Sequence, residues 1–309
     1  MDKKKVLKYI GLTYLFAWTI QIIVSLFVIK NDSKLGLSVF QCGLAICMFA
    51  PLIATLIVNG NLKGIGWKPK FKGNIKWIFF SILIPSIFTI FGFVCFFAIY
   101  PDLFSMDGSY LLKQIKDTGL NADEFQKSLG MLNMDMKKLI IISLMQIVVE
   151  APFVNMFVAI GEEAGWRGFL YPELKKGFGR VKTWLIGGLI WSAFHFPCMF
   201  IAGYEYGTKY MGAPILGPIV FTIFCIAIGI LMEIIYDKTQ CIWYPALLHG
   251  SINGAATMYQ LVISTNETDK LEKLMILGPA PNGAIAGIPF LILAVVMGII
   301  ALRSREDER

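Results

Sequence analysis

Apolar residues gather into eight stretches along the chain, at 9–29, 36–58, 77–100, 139–161, 183–202, 214–236, 241–262 and 284–302. An α-helix needs about 20 apolar residues to cross a bilayer. The third and seventh stretches meet that length without further argument, while the fifth and seventh are interrupted on one face by histidine. The first stretch follows Lys3, Lys4, Lys5 and Lys8 and resembles a secretion signal. It is long and has no small-residue cleavage site, so it reads as an uncleaved anchor. The longest polar segment, 101–138, has room for a short amphipathic helix. No internal repeat or low-complexity tract separates one part of the chain from another. The pattern predicts an all-α polytopic membrane protein, a bundle of about eight transmembrane helices forming one integral membrane domain over 1–309.

Composition agrees. Hydrophobic residues make up 56% of the 309 and charged residues 16%, where soluble proteins carry roughly 25% charged. Too few charges remain to cover a water-soluble surface, and a nucleic-acid binder, a disulfide scaffold and a disordered chain fit equally poorly. The net charge of +7 reports orientation instead. With the N-terminus in the cytoplasm, the segments 1–8, 59–76, 162–182, 237–240 and 303–309 hold 18 of the 28 Lys and Arg, against 10 on the other side. The positive-inside rule then puts both termini in the cytoplasm. The six cysteines, Cys42, Cys47, Cys95, Cys198, Cys225 and Cys241, lie in or beside apolar runs without a CxxC pair. They read as small apolar filler.

Ionisable residues at bilayer depth are costly unless paired or hydrated, so the few present carry the chemistry. They are Glu150, Glu162, Glu163, Arg167, His195, Glu233 and His249, with Asn253 as a polar companion. Glu163 and Arg167 are four apart with the acid first, the favourable order for a helical ion pair. Glu162 is turned about 100° away from Glu163 and stays available to activate water. Trp191 and His195 are four apart, which places the indole beside the imidazole. His249 and Asn253 share another helix face, where their donors suit a developing oxyanion. Counted from the start of their stretches, His195 lies about 18 Å deep and His249 about 12 Å. Glu162 reaches a matching depth if its helix runs over 139–170, kinks at Pro152 and stops before Pro172. In that placement Glu150 is expected as a buried, hydrogen-bonded carboxyl, and Glu233 as the partner of a neighbouring base. The set predicts one cavity opening toward the cytoplasm.

The run Glu162-Glu163-Ala164-Gly165-Trp166-Arg167 resembles the EExxxR signature of the CAAX prenyl protease and bacteriocin-processing (CPBP, or ABI) family. Trp191 through His195 resembles its FxxxH motif, with Trp191 in place of Phe. His249 through Asn253 resembles its HxxxN/D motif. The three occur in family order within 160–254. The resemblance implies an intramembrane, metal-independent glutamic endopeptidase. Glu162 would be the general base, His195 would help hold and activate the water, and His249 with Asn253 would form the oxyanion hole. Glu163 and Arg167, with Trp191, would support the site. The implied partners are membrane lipid and a peptide or protein substrate, prenylated or otherwise lipidated, with no nucleic acid. The Lys-rich chain without a soluble domain leans toward a prokaryotic cell membrane.

Three alternatives stand beside it. A zinc site could form from Glu162, His195 and His249, although the HExxH spacing is absent. A non-hydrolytic bacteriocin-immunity or membrane partner-binding protein could share the fold, against which every proposed catalytic position is filled. A transporter could use Glu150, Glu162 and the histidines as a proton relay, but the inverted repeat that would support it is missing.

Overall fold

The structure is a computed structural model and describes residues 1–31, 33–117 and 121–306. The last residues of the predicted basic segment 303–309, and part of the 101–138 loop, lie outside the described residues. Asp2 caps the first helix, its carboxylate accepting the Lys5 N–H at 3.0 Å, and α1 runs over Lys3–Lys30. Ser33 caps α2, Lys34–Cys47, which turns into α3, Ala50–Asn59. The next long apolar run forms α4, Ile75–Ile99. The polar segment holds two short helices, α5 (Ser109–Asp117) and α6 (Ala122–Met131). After them come α7, Met136–Val149, and α8, Ala151–Gly165. A π-turn over Trp166–Leu170 joins α8 to α9, Tyr171–Phe194. The chain continues with α10 (Phe196–Ala202), α11 (Leu216–Thr239), α12 (Trp243–Ala255), α13 (Thr268–Leu274) and α14 (Ile288–Glu306). The chain is an all-α polytopic membrane protein.

The eight predicted spans are not eight full-length helices. Four are long and apolar enough to cross a bilayer alone: Lys3–Lys30, the α2–α3 unit Lys34–Asn59, Ile75–Ile99 and Leu216–Thr239. The fourth and fifth stretches belong to α7–α9, a helix pair bent by 40° at its break. The seventh stretch ends early, at Ala255. Eleven of the 13 residues of α12 are buried, so protein rather than lipid surrounds this helix and it need not match the bilayer thickness.

The helix expected over 139–170 also differs in detail. The chain bends at Glu150, and Pro152 lies in the first turn of α8, where a missing N–H costs nothing. The helix does not stop before Pro172. The wider π-turn ahead of it admits the proline ring, and helical structure continues to Gly179. There φ is 72° and ψ is −179°, a backbone available essentially to glycine. The chain reverses at this point: the ring of Tyr171, eight residues before, lies 2.5 Å from where a Cβ on Gly187, eight residues after, would sit.

A buried polar knot holds one end of the bundle. Arg180 donates to Glu233 at 2.9 and 3.0 Å, Trp184 Nε1 donates to the same carboxylate at 3.0 Å, and Lys175 donates at 2.7 Å. Arg180 also donates to the carbonyl of Ala301 at 3.1 Å, so the knot ties α9, α11 and α14. Glu233 is thus paired as expected. The Asp2 N–H donates to Glu173 at 3.2 Å, which brings the N-terminus to this same end. Glu150, by contrast, is exposed rather than buried, because it sits at the α7–α8 bend on the outside of the bundle.

Candidate active site

Close backbone approach builds the site. A Cβ on Gly250 of α12 would lie 2.6 Å from the Met156 nitrogen and 2.7 Å from the Pro152 oxygen of α8. Only glycine lets the two helices meet this closely, and the contact sets His249 against Glu163. His249 Nδ1 lies 2.9 Å from Glu163 Oε1, and Arg167 Nη1 donates to the same oxygen at 3.0 Å. Glu163 and Arg167 are completely buried, as the expected pair. The guanidinium stacks between two rings, 4.4 Å from Trp191 and 4.8 Å from Tyr171.

Glu162 points away from that pair, as its angular offset predicted. Its Oε2 accepts two indole N–H bonds, from Trp166 at 2.9 Å and from Trp191 at 2.6 Å. The expectation that the Trp191 indole packs beside His195 is therefore corrected. The indole turns toward Glu162 and Arg167 because it finds an acceptor and a cation there, and its edge meets His249 with centroids 5.3 Å apart. The link to His195 runs through the backbone, with His195 Nδ1 3.1 Å from the Trp191 carbonyl. A carbonyl only accepts, so Nδ1 carries the proton and Nε2 presents a lone pair when the ring is neutral. Tyr204 lies parallel to the imidazole at 6.2 Å and Phe221 meets it edge-on at 5.1 Å.

Glu162, His195, His249 and Asn253 all line one cavity of about 440 Å³. Asn253, one turn beyond His249, is exposed on its wall. The structure therefore brings together the four residues singled out from three separate stretches. Glu163 and Arg167 stand behind the wall, and Trp191 forms part of it. Among the described residues, no group of three or more His, Cys, Asp or Glu is placed to hold a metal ion.

The cavity wall extends into Tyr204, Glu205, Tyr259 and Ala280–Asn282. These belong to the loops at the end of the bundle opposite the Arg180–Glu233 knot. Asp2 and Ala301 share the knotted end, while the cavity wall reaches toward the other. Reading depth from where each apolar stretch begins could not separate them, since Glu162, His195 and His249 sit near mid-bundle.

Sequence reasoning missed several residues in and behind the wall. Trp166, which bonds Glu162 from behind it, was legible in principle, four positions further along the chain. Glu205 lies in the short link between two apolar stretches, and Gln21 and Asn282 come from distant parts of the chain; no local spacing connects them to the motifs.

Residues 144–255 match the family model described as Type II CAAX prenyl endopeptidase Rce1-like. The chain is similar to the Rce1-like endopeptidases. The family resemblance carried by the three motifs is borne out on this segment, which runs from α7 through α12 and contains all seven of the singled-out residues. A 55-residue stretch is also 34% identical to CAAX prenyl protease 2 of Methanococcus maripaludis, covering 18% of this chain and 20% of that protein. The chain therefore spans about a fifth of the length of the curated relative it matches. The Rce1-like segment supplies the catalytic-looking wall of the cavity, while α1, α2 and the Ala280–Asn282 loop close it from outside the matched range.

Proposed function

We propose that this protein is an intramembrane glutamic endopeptidase of a prokaryotic cell membrane. It hydrolyses a peptide bond in a membrane-associated peptide or protein, prenylated or lipidated, and needs no metal. The observation that carries the reading is the convergence of Glu162, His195, His249 and Asn253 on one cavity. Glu162 takes a proton from water as the water attacks the scissile carbonyl. Two indole donors fix one of its oxygens, so the carboxylate is oriented before substrate arrives. His195 offers Nε2 to the same water. Glu163 at Nδ1 fixes the His249 ring, and a proton on its Nε2 can donate to the oxyanion together with the Asn253 amide. Such donors contribute roughly 3–4 kcal/mol each in characterised hydrolases. The proton held by Glu162 then passes to the leaving amine as the C–N bond breaks.

The test is cleavage of a fluorogenic farnesylated peptide by the purified protein in detergent. Glu162→Ala is expected to lower kcat/KM at least about a hundredfold, the usual scale for a lost general base, and a zinc chelator is expected to leave the parent unchanged. Loss of activity in chelator would move Glu162, His195 and His249 to a zinc site. An unimpaired Glu162→Ala variant would overturn the mechanism.

A further inference from the structure

The hydrolysis just described leaves one carboxylate on the cavity wall without a task. Glu205 sits in the loop between α10 and α11 with φ of 76°, a left-handed backbone that non-glycine residues seldom adopt. The loop is held to the segment before α14 by two bonds. Tyr206 donates its hydroxyl to the Asn282 carbonyl at 2.6 Å, and Asn282 Nδ2 donates to Glu205 Oε2 at 2.6 Å. Tyr204 also bonds the carboxyl.

The unmet polar demand of this wall has one sign. Asn282 is 4% exposed, and with Nδ2 given to Glu205 its Oδ1 is buried without a partner. Gln21, 1% exposed, gives its Nε2 to the Phe194 carbonyl and leaves Oε1 in the same condition. Both unpartnered atoms are acceptors, and both residues line the cavity with Glu162 and Glu205. Among the described residues that line it there is no Lys or Arg. The nearest guanidinium in the site, Arg167, is held behind the wall by Glu163 and two rings. A cavity with two carboxylates, two orphaned carbonyl acceptors and no Lys or Arg calls for a donor that carries positive charge.

We infer that the cavity selects a peptide with a basic side chain, lysine or arginine, near the scissile bond, and that its cationic head is received by Glu205 and the Asn282 Oδ1 atom. The inference rests on the endopeptidase reading for the peptide being a substrate. Burial pushes the Glu205 carboxyl up to about 7, the expected state of an acid whose counter-charge arrives only with the ligand. An acidic side chain at the same place meets like charge and is disfavoured.

The experiment uses the full chain in detergent and a panel of farnesylated, internally quenched peptides. Lysine, norleucine or glutamate is placed in turn at each residue flanking the cleaved bond. At one position lysine is expected to exceed norleucine about tenfold in kcat/KM, the scale of one charge-assisted contact. Glu205→Gln should bring that ratio to about one, and Glu205→Lys should favour glutamate there. Because each ratio is taken within one variant, an overall loss of folded protein cancels. A parallel measurement reads binding of fluorescein-labelled lysine and norleucine peptides to the Glu162→Gln protein. Tighter lysine binding without cleavage by the parent would sink the endopeptidase reading and leave this inference standing. Cleavage in which lysine and norleucine are equal at every position would sink only this inference, as would a lysine preference that survives Glu205→Gln or the absence of any preference in both readouts.

Discussion

Trp191 meets every part of the site at once: its N–H reaches Glu162, its carbonyl faces His195 Nδ1, its ring lies against Arg167 and its edge against His249. The family pattern has Phe at this position, and Phe keeps the ring but cannot donate. Trp191→Phe should therefore lower kcat/KM about tenfold, the scale of one hydrogen bond to a charged group, and less than Glu162→Ala, because the Trp166 N–H remains at 2.9 Å. A rate equal to the parent's would show that the second indole does not position the base. Glu205 gives a second outcome at this scale. Hydroxyl, thiol and amide groups surround it: Tyr204 and Tyr206 from its own loop, Cys198 from α10, Cys225 from α11, Tyr259 after α12, and Asn282 before α14. The other titratable groups on the cavity wall are Glu162, Cys47 and the two histidines. With its carboxyl pushed up to about 7, Glu205 is ionised above that pH and neutral below it. The lysine-to-norleucine ratio in kcat/KM, which reports the free enzyme, should fall as the pH drops through about 7. A flat ratio from pH 5 to 9 would contradict the assignment.

Among the elements, α8 and α12 decide the geometry, and the Gly250 contact decides how they meet. Gly250→Ala puts a methyl group 2.6–2.7 Å from two backbone atoms of α8, which cannot swing aside as a side-chain tip can. Overpacking of this kind costs about 1–3 kcal/mol. It should lower the unfolding temperature in detergent and remove most activity, since His249 leaves Glu163. Gly11→Ala is the control: nothing lies within 4 Å of the added methyl, and alanine is the better helix former. Equal behaviour of the two variants would show that close approach at Gly250 is not what sets the site. Much of this scale was legible in advance. The i,i+4 order of Glu163 and Arg167, and the outward turn of Glu162, follow from helix geometry alone. The π-turn, the reversal at Gly179 and the early end of α12 were not legible. Each depends on what surrounds the helix rather than on its own sequence, and hydropathy does not distinguish apolar residues facing protein from those facing lipid.

For the whole molecule, the N-terminal basic segment and the loops that carry Glu205 and Asn282 lie toward opposite ends. A membrane-impermeant thiol reagent added to sealed vesicles should label a cysteine placed at Lys4 and one placed at Lys209 from opposite sides. Labelling of both from one side would contradict the arrangement of the bundle. The Lys and Arg content of the sequence predicts which segments share an end, but the motifs alone do not show toward which end a shared cavity extends. The knot that ties α9, α11 and α14 has a mechanical consequence. From Ala227 to Tyr236, α11 is buried at almost every residue, while between Leu216 and Cys225 only half are. The helix is held like a tuning fork by its stem. Local opening costs least where packing is sparse, so the amplitude of its motion grows toward the loops that carry Glu205 and Asn282. Displacement of α11 is therefore expected at its Leu216 end before it is expected at the knot.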